Sequence, residues 1–157
     1  MSRTLFPEIE ALVPQAGPMC LLDRVVEHGS GHTVCAVDPG RSRLLAAPDG
    51  SLPAWLGLEY MAQCIAAHGG LVARACGEPP RPGVLLGARR VSFAVQSFEA
   101  GRELRVAARH HRGVRGLLVF DCEIRDARGG APLVYGRLNV YTVDGWDALE
   151  AVGNDGG

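Results

Sequence analysis

One stretch decides the fold: residues 52–76 read LPAWLGLEYMAQCIAAHGGLVARAC. Its only proline, Pro53, stands where the first turn of a helix tolerates it. Gly77 and several prolines follow and end a helix. The pattern therefore predicts one long helix from Pro53 to about Cys76. Small residues are frequent in it, so other parts of the backbone can approach the helix closely, as a surrounding sheet would.

The segments on either side of this helix have the composition of β-strands. Before it, Cys20–Glu27 and His32–Asp38 are apolar and are separated by turn-forming glycines, which predicts a hairpin. After it come four further predicted strands, at about Val84–Phe98, Glu103–Arg112, Leu117–Asp126 and Pro132–Val143. In Leu117–Asp126, apolar residues alternate with charged ones, which indicates one buried face.

A hairpin, one apolar helix and a run of antiparallel strands define an α+β arrangement. A helix this apolar is buried if a curved antiparallel sheet wraps around it, which is the hotdog fold. The chain has 157 residues, the length of one ordinary domain. We expect residues 1–150 to form this single hotdog domain and the glycine-rich residues 151–157 to be a frayed tail.

The composition excludes several classes of function. The formal net charge is −1, which favours neither a nucleic-acid nor a membrane partner. The five cysteines form no CxxC pair and no zinc-type spacing, so we expect buried, reduced thiols, no metal and no cofactor. All sixteen basic residues are arginine, which excludes a lysine nucleophile. The N-terminal residues do not resemble a signal peptide, so we expect a cytoplasmic protein.

Three motifs resemble β-hydroxyacyl-acyl-carrier-protein dehydratases of the FabZ type. Pro53, Glu59 and Gln63 match the helix motif FPGVLxxEAMAQ, Pro18–Val25 is similar to P-(F/M)-L-L-x-D-R-V, and Gly87–Phe93 is similar to G-x-x-x-(V/A)-x-F. Gly57–Gly70 looks still closer to GxEYMAQxxAxHGG, the helix of the dehydratase-like branch associated with aryl-polyene gene clusters. The resemblance implies the hotdog fold and a (3R)-hydroxyacyl-thioester dehydratase of fatty-acid or polyketide-type metabolism.

The resemblance also implies an acid and a base. Glu59 corresponds to the helix carboxylate that protonates the leaving hydroxyl; its structural alternative is an ion pair with an arginine such as Arg90. Gln63 lies on the same helical face and could orient Glu59, or make a helix–sheet hydrogen bond. The family's base is a loop histidine, but the loop Leu45–Leu52 contains none. The aryl-polyene branch usually carries a histidine where this chain has Gln15, whose amide cannot act as a base near neutral pH.

Five positions are candidates for binding the substrate: Ala54, Trp55, Gln15, Gly87 and Arg90. Ala54 stands where the family motif has a glycine whose N–H binds the thioester carbonyl, a role that suits a helix N-terminus. Trp55 could line an acyl tunnel, although an aromatic at a helix start is more often part of the core. An arginine at the tunnel mouth, Arg89 or Arg90, would attract an acidic carrier protein.

Other polar residues are weaker candidates for a role in catalysis or binding. His68 is on a different helical face from the family carboxylate, so we expect a core or interface histidine. His110 and His111 are expected at the surface. Asp49 is the one acid in the loop that should carry the histidine and could replace it as a weak base. The neighbours Asp23 and Arg24 are expected to form an ion pair.

Three functions remain open at this point. The first is a dehydratase-like protein that binds an acyl-ACP or acyl-CoA thioester in a tunnel between two chains and is weakly active at most. The second is a non-catalytic partner subunit of a heteromeric dehydratase whose paralogue carries the histidine. The third is a hotdog acyl thioesterase. Because Val84–Phe98 would be an apolar sheet edge, we expect a homodimer or higher assembly, or a heteromer with that paralogue.

Overall fold

The computed structural model describes residues 6–42, 45–80, 83–114 and 116–142, so the predicted tail at 151–157 lies outside the described residues. The strands and the helix are, in chain order, β1 (Arg24–Gly29), β2 (His32–Val37), β3 (Leu52–Pro53), α1 (Gly57–Ala75), β4 (Gly83–Phe93), β5 (Ser97–Phe98), β6 (Leu104–Val114), β7 (Leu117–Asp126) and β8 (Val134–Thr142). Short 3₁₀ turns occur at Ile9–Ala11, Gly17–Met19, Pro39–Arg41 and Ala54–Leu56.

Six of the strands form one antiparallel sheet in the order β1-β2-β6-β7-β8-β4. Alternate residues of the central strands are buried, among them Val106, Phe120 and Leu138, and α1 packs against β2, β6 and β7. In β7 the buried residues alternate with charged ones, as the sequence predicts. The structure therefore confirms the α+β hotdog arrangement, with the core between the sheet and one central helix.

The central helix has glycines where other parts of the chain come close. A Cβ atom at Gly70 would lie 2.7 Å from the carbonyl oxygen of Leu12, and one at Gly57 would lie 2.8 Å from a methyl carbon of Ile124. Residues 12–22, named the leader segment below, therefore cross the helix at one point, and the sheet touches it at another. A larger side chain at Gly70 would displace the leader segment, because the contact there is with backbone.

Two strand predictions are wrong in their bounds. The first strand begins at Arg24 and not at Cys20, because the N–H of Leu21 donates to the side chain of Gln63 and not to a neighbouring strand. The predicted strand Val84–Phe98 is two strands. It is interrupted after Phe93, and its last two residues form β5, which pairs with β3 directly before the helix.

The strand β4 lies at one edge of the sheet and exposes apolar side chains. Val84, Leu85, Leu86 and Phe93 are all exposed. The pairing of β4 with β8 is irregular between Leu85 and Gly87 and again between Arg89 and Ser92, where Arg90 adopts a φ of 54°. The predicted apolar edge is therefore present, and a dimer formed through it stays a prediction.

Candidate active site

The carboxylate of Glu59 lies in the first turn of α1 and is half-buried. Its Oε1 atom accepts a hydrogen bond from Gln63 Nε2 at 3.0 Å and one from Gln15 Nε2 at 3.4 Å. No residue in the described ranges forms an ion pair with Glu59, and the alternative partner Arg90 lies on the edge strand β4. The carboxylate is therefore held by two neutral amides.

Gln63 connects the helix to the leader segment and is fully buried. Its Oε1 accepts from the N–H of Leu21 at 2.9 Å, and its Nε2 donates to the carbonyl oxygen of Met19 at 2.8 Å. The second amide hydrogen goes to Glu59. Because both hydrogens of the amide are used, Gln63 positions Glu59 and the leader segment and has no hydrogen left for a substrate.

Gln15 reaches the site from the leader segment, 44 residues before Glu59 in the chain. Its Oε1 atom is buried and has no hydrogen-bond partner among the residues that the structure describes. The position at which the resemblance implies a histidine therefore faces the helix carboxylate, but it carries an amide that does not accept a proton at neutral pH.

The other substrate-binding candidates are spread over the molecule. The N–H of Ala54 donates to the carbonyl oxygen of Gln96 at 2.9 Å, so it is already used within the chain. Trp55 is 57% exposed and is not part of the core. Gly87 and Arg90 lie on β4, whereas α1 packs against β2, β6 and β7. A single chain therefore does not bring these two residues to the helix carboxylate.

The predicted ion pair between Asp23 and Arg24 is wrong. Arg24 pairs with Glu103 at 2.9 Å. Asp23 accepts from the N–H of Asp38 at 2.7 Å and lies 3.5 Å from the guanidinium of Arg41. Burial raises the pKa of Asp23. Arg24 begins a strand, in which successive side chains point to opposite faces, so the two neighbours find different partners.

Asp49 is held by a neighbouring serine in the loop before the helix. Its carboxylate is exposed and accepts hydrogen bonds from the hydroxyl of Ser51 at 2.6 Å and from the N–H of the same residue at 2.9 Å. These hydrogen bonds lower the pKa of Asp49. A carboxylate with a lowered pKa is a weaker base, so this environment does not favour the role of base for Asp49.

His68 is a core histidine, as predicted. It is 6% exposed, and its Nδ1 lies 2.8 Å from the hydroxyl of Thr33, which also contacts Nδ1 of His28 at 2.8 Å. Burial lowers the pKa of His68 to about 4. Nine positions after Glu59 on an α-helix, it lies about 13 Å further along the axis and on the opposite face. It is therefore not a relocated base.

The remaining histidines contact residues other than Glu59. His32 contacts the carboxylate of Glu27 at 2.8 Å, the ring of His110 packs against Phe120, and His111 lies 3.5 Å from a carboxylate oxygen of Asp121. The predicted surface position of the last two histidines is confirmed, since both are exposed. None of the five histidines, which all lie within the described residues, contacts the helix carboxylate.

A cavity of about 560 Å³ lies beside the leader segment. Its lining includes Ile9, Cys20, Leu21, Asp23 and Arg41 but neither Glu59 nor Gln63. It is therefore not the predicted tunnel, which would run between two chains.

Of the five free cysteines, Cys35, Cys64 and Cys122 are buried as expected, whereas Cys76 is exposed.

No three His, Cys, Asp or Glu side chains among the described residues are grouped so that they could hold a metal ion. No helix within the described ranges is long and apolar enough to cross a membrane.

A central helix packed in an antiparallel sheet, with a carboxylate held by amides opposite the leader segment, defines a dehydratase-like hotdog protein. The chain belongs to the ApeP-like family, described as ApeP dehydratase, which its sequence matches over residues 7–152. It is 30% identical to a chain in the structure of the dehydratase heterocomplex ApeI:P from Xenorhabdus doucetiae, with a TM-score of 0.84 over 95% of this chain and 99% of that one.

More distant structures share only the fold. A hypothetical thioesterase with coenzyme A from Streptococcus pneumoniae is 16% identical, with a TM-score of 0.57 over 76% of this chain and 84% of that one. An uncharacterized protein from Pyrococcus horikoshii is 10% identical, with a TM-score of 0.63 over 89% of this chain and 97% of that one. No curated protein matches the sequence.

Proposed function

We propose that this chain is a subunit of a heteromeric (3R)-hydroxyacyl-thioester dehydratase. It contributes Glu59 as the acid, and a second, histidine-bearing dehydratase chain contributes the base. The observation that carries the proposal is the 3.4 Å contact between Gln15 and Glu59, because the group beside the acid is an amide that cannot accept the proton. The similarity to a chain of a dehydratase heterocomplex supports the same conclusion.

In the proposed reaction, each of the two chains contributes one catalytic group. The partner's base removes the proton from C2 of the 3-hydroxyacyl thioester, and the electron pair forms the C2–C3 double bond. The C3–O bond breaks, and the oxygen leaves as water with a proton from Glu59. The product is a 2-enoyl thioester. Gln63 keeps Glu59 in place through the 3.0 Å hydrogen bond to Oε1, and a partner chain that covered the site would exclude water from it.

The substrate is an acyl thioester of an acyl carrier protein or of coenzyme A, bound in a tunnel between the chains. The exposed apolar edge of β4 supports this assembly, because pairing of two such edges would bury Leu85 and Leu86 and continue the sheet. Arg89 and Arg90 are exposed on the same strand and could attract the phosphate of a phosphopantetheine group. We place the protein in the cytoplasm, where such thioesters are made.

The proposal is tested by dehydration of (3R)-hydroxybutyryl-pantetheine, followed by the absorbance of the enoyl thioester. The chain alone, a histidine-bearing dehydratase of the same organism alone, and the two co-purified are compared. We expect slow or no turnover by the chain alone and efficient turnover by the complex. Equal turnover by the chain alone, or failure of the two chains to form a complex, would refute the proposal.

The thioesterase alternative rests on the shared fold and on the same carboxylate. It predicts that the chain alone releases a free thiol from butyryl-pantetheine, which a thiol reagent detects. Under the dehydratase proposal this release stays at the rate of the buffer, because nothing in the reaction cleaves the thioester bond.

A further inference from the structure

The tip of the β1–β2 hairpin, residues 27–33, has the sequence EHGSGHT and contains no hydrophobic residue. It is nevertheless joined to the core. The hydroxyl of Thr33, which is fully buried, lies 2.8 Å from Nδ1 of His28 in the hairpin and 2.8 Å from Nδ1 of His68 in α1. Within the described residues, no other side chain of the tip forms a hydrogen bond to α1.

The hydroxyl of Thr33 has a single hydrogen, so it can donate to one of the two rings only, and the other ring donates its own N–H to the hydroxyl oxygen. His28 is half-buried and His68 is 6% exposed, so the first proton taken up from solvent goes to His28. With Nδ1 of His28 as donor and Nδ1 of His68 as acceptor, the chain of hydrogen bonds survives this proton, because it adds at Nε2 of His28.

A second proton, on Nδ1 of His68, disrupts the arrangement. Both rings then donate to the oxygen of Thr33, and the hydrogen of the hydroxyl loses its acceptor. The two positive rings also repel each other, since their centroids are 5.3 Å apart. Burial lowers the pKa of His68 to about 4, so this proton is bound more strongly once the ring is released from the core.

The surroundings of His68 supply no compensating negative charge. The titratable groups around it are His28 from β1, His32 from β2, His110 from β6, Cys122 from β7 and Cys64 from α1 itself. The other histidines disfavour a further positive charge. Burial raises the pKa of Cys122, and a hydrogen bond with Cys35 together with burial raises that of Cys64, so both thiols are neutral. The exposed carboxylate of Glu27 is 2.8 Å from His32.

We propose that His28, Thr33 and His68 form an acid-sensitive latch, which fastens the hairpin tip to the central helix and releases it when both rings carry a proton. The opening is local. The rest of the hairpin stays in place, since Val25 of β1 and Val37 of β2 are buried in the core. The latch goes beyond the proposed function, because His68 is about 13 Å along the helix axis from the carboxylate of the candidate site.

NMR spectroscopy of the full chain between pH 7 and pH 4 tests the latch. From pH 6.5 to about 4 the open tip binds a proton that the closed tip does not, so its opening constant should rise by about tenfold per pH unit, or about 300-fold in total. The backbone amide signals of residues 28–33 should move toward random-coil values, while those of β7 and β8 keep their native positions. Ring ¹⁵N shifts at pH 7 should show an Nδ1–H tautomer for His28 and an Nε2–H tautomer for His68.

Three variants separate the latch from general acid unfolding. His68→Asn can still bond to the hydroxyl of Thr33 but does not titrate, so its tip should stay native down to pH 4. Thr33→Val removes the hydroxyl and keeps the shape, and it should free the tip already at pH 7 with β7 and β8 intact. His111→Asn, at an exposed histidine outside the latch, should behave like the native protein.

Four results would overturn the proposal: a native tip at pH 4 in the unmodified chain, simultaneous loss of the tip and β7–β8 signals, the same tautomer in both rings, or release of the tip in His68→Asn at the native pH.

Discussion

The Nε2 atom of Gln15 lies 3.4 Å from Oε1 of Glu59, although 44 residues separate the two along the chain. The leader segment makes this contact possible, because Gln63 binds its backbone at Met19 and Leu21. The structure thus brings together the two positions at which the family resemblance implies an acid and a base, and one of them carries an amide.

Restoring a base at this position should create activity within one chain. In Gln15→His the imidazole would stand beside Glu59, and general-base catalysis typically contributes about 10²–10⁴-fold to a rate. We expect the isolated variant to dehydrate (3R)-hydroxybutyryl-pantetheine about 100-fold faster than the native chain. Gln96→His serves as the control and should stay at the native rate. No gain in Gln15→His, with the fold intact by circular dichroism, would mean that the contact does not define the reacting site.

Removing the amide of Gln63 should destabilise the protein. Gln63→Leu leaves the N–H of Leu21 and the carbonyl of Met19 without their partner. An unsatisfied buried group costs about 1–3 kcal/mol, so we expect the free energy of unfolding to fall by about 2–4 kcal/mol in urea titrations. The exposed control Gln96→Leu should change it by less than about 0.5 kcal/mol. Similar losses in the two variants would show that Gln63 does not anchor the leader segment.

Acid should weaken the fold through His68. Because burial lowers its pKa to about 4 from an ordinary value of 6.5, the unfolded chain binds a proton that the folded chain does not. Stability should therefore fall as the pH decreases from 6.5 to about 4, by up to about 3 kcal/mol from this group.

The comparison for this pH effect is His68→Asn, which can still bond to the hydroxyl of Thr33 but does not titrate. Urea titrations across this pH range give the difference between the two proteins. The difference between the two proteins therefore reports the contribution of His68 together with its coupling to His28. Parallel pH profiles for the two proteins would contradict the role given to His68.

Assembly should depend on the edge of β4. Leu86 is 60% exposed on this strand, and Leu86→Lys places a charge on the apolar edge. Sedimentation at micromolar concentration should give about twice the 16.6 kDa chain mass for the native protein and the chain mass for the variant. Leu117→Lys alters an exposed leucine of the interior strand β7 and should leave the native mass unchanged. If the native protein sediments with the mass of one chain, both alone and together with the partner dehydratase, the proposed β4 interface is wrong.

The sequence predicts well those parts of the fold that have a local pattern. The helix ends before Gly77 as predicted, and the alternation of β7 identifies its buried face. The start of the helix is predicted too early, because Pro53 lies in β3 and a 3₁₀ turn at Ala54–Leu56 precedes α1. The interruption after Phe93 cannot be predicted from local periodicity, because it depends on pairing between β5 and β3, which have two residues each.

The site was predictable only in part for the same reason. The helical spacing of Glu59 and Gln63 places both on one face, and the structure joins them by a hydrogen bond. The path of the leader segment depends on tertiary packing, including the close approach of Leu12 to Gly70. The contact with Gln15 follows from this path, and sequence spacing alone does not indicate it.

The central claim is that Glu59 is the acid of a heteromeric dehydratase, and a substitution confined to this chain tests it most directly. Glu59→Gln is introduced here only, the complex with the native histidine-bearing chain is purified, and the rate of enoyl thioester formation is compared with that of the native complex. Glu99→Gln, at an exposed carboxylate, is the matched control. We predict a fall of about 100-fold or more for Glu59→Gln and no change for the control. A Glu59→Gln complex that assembles and retains the native rate would contradict the claim.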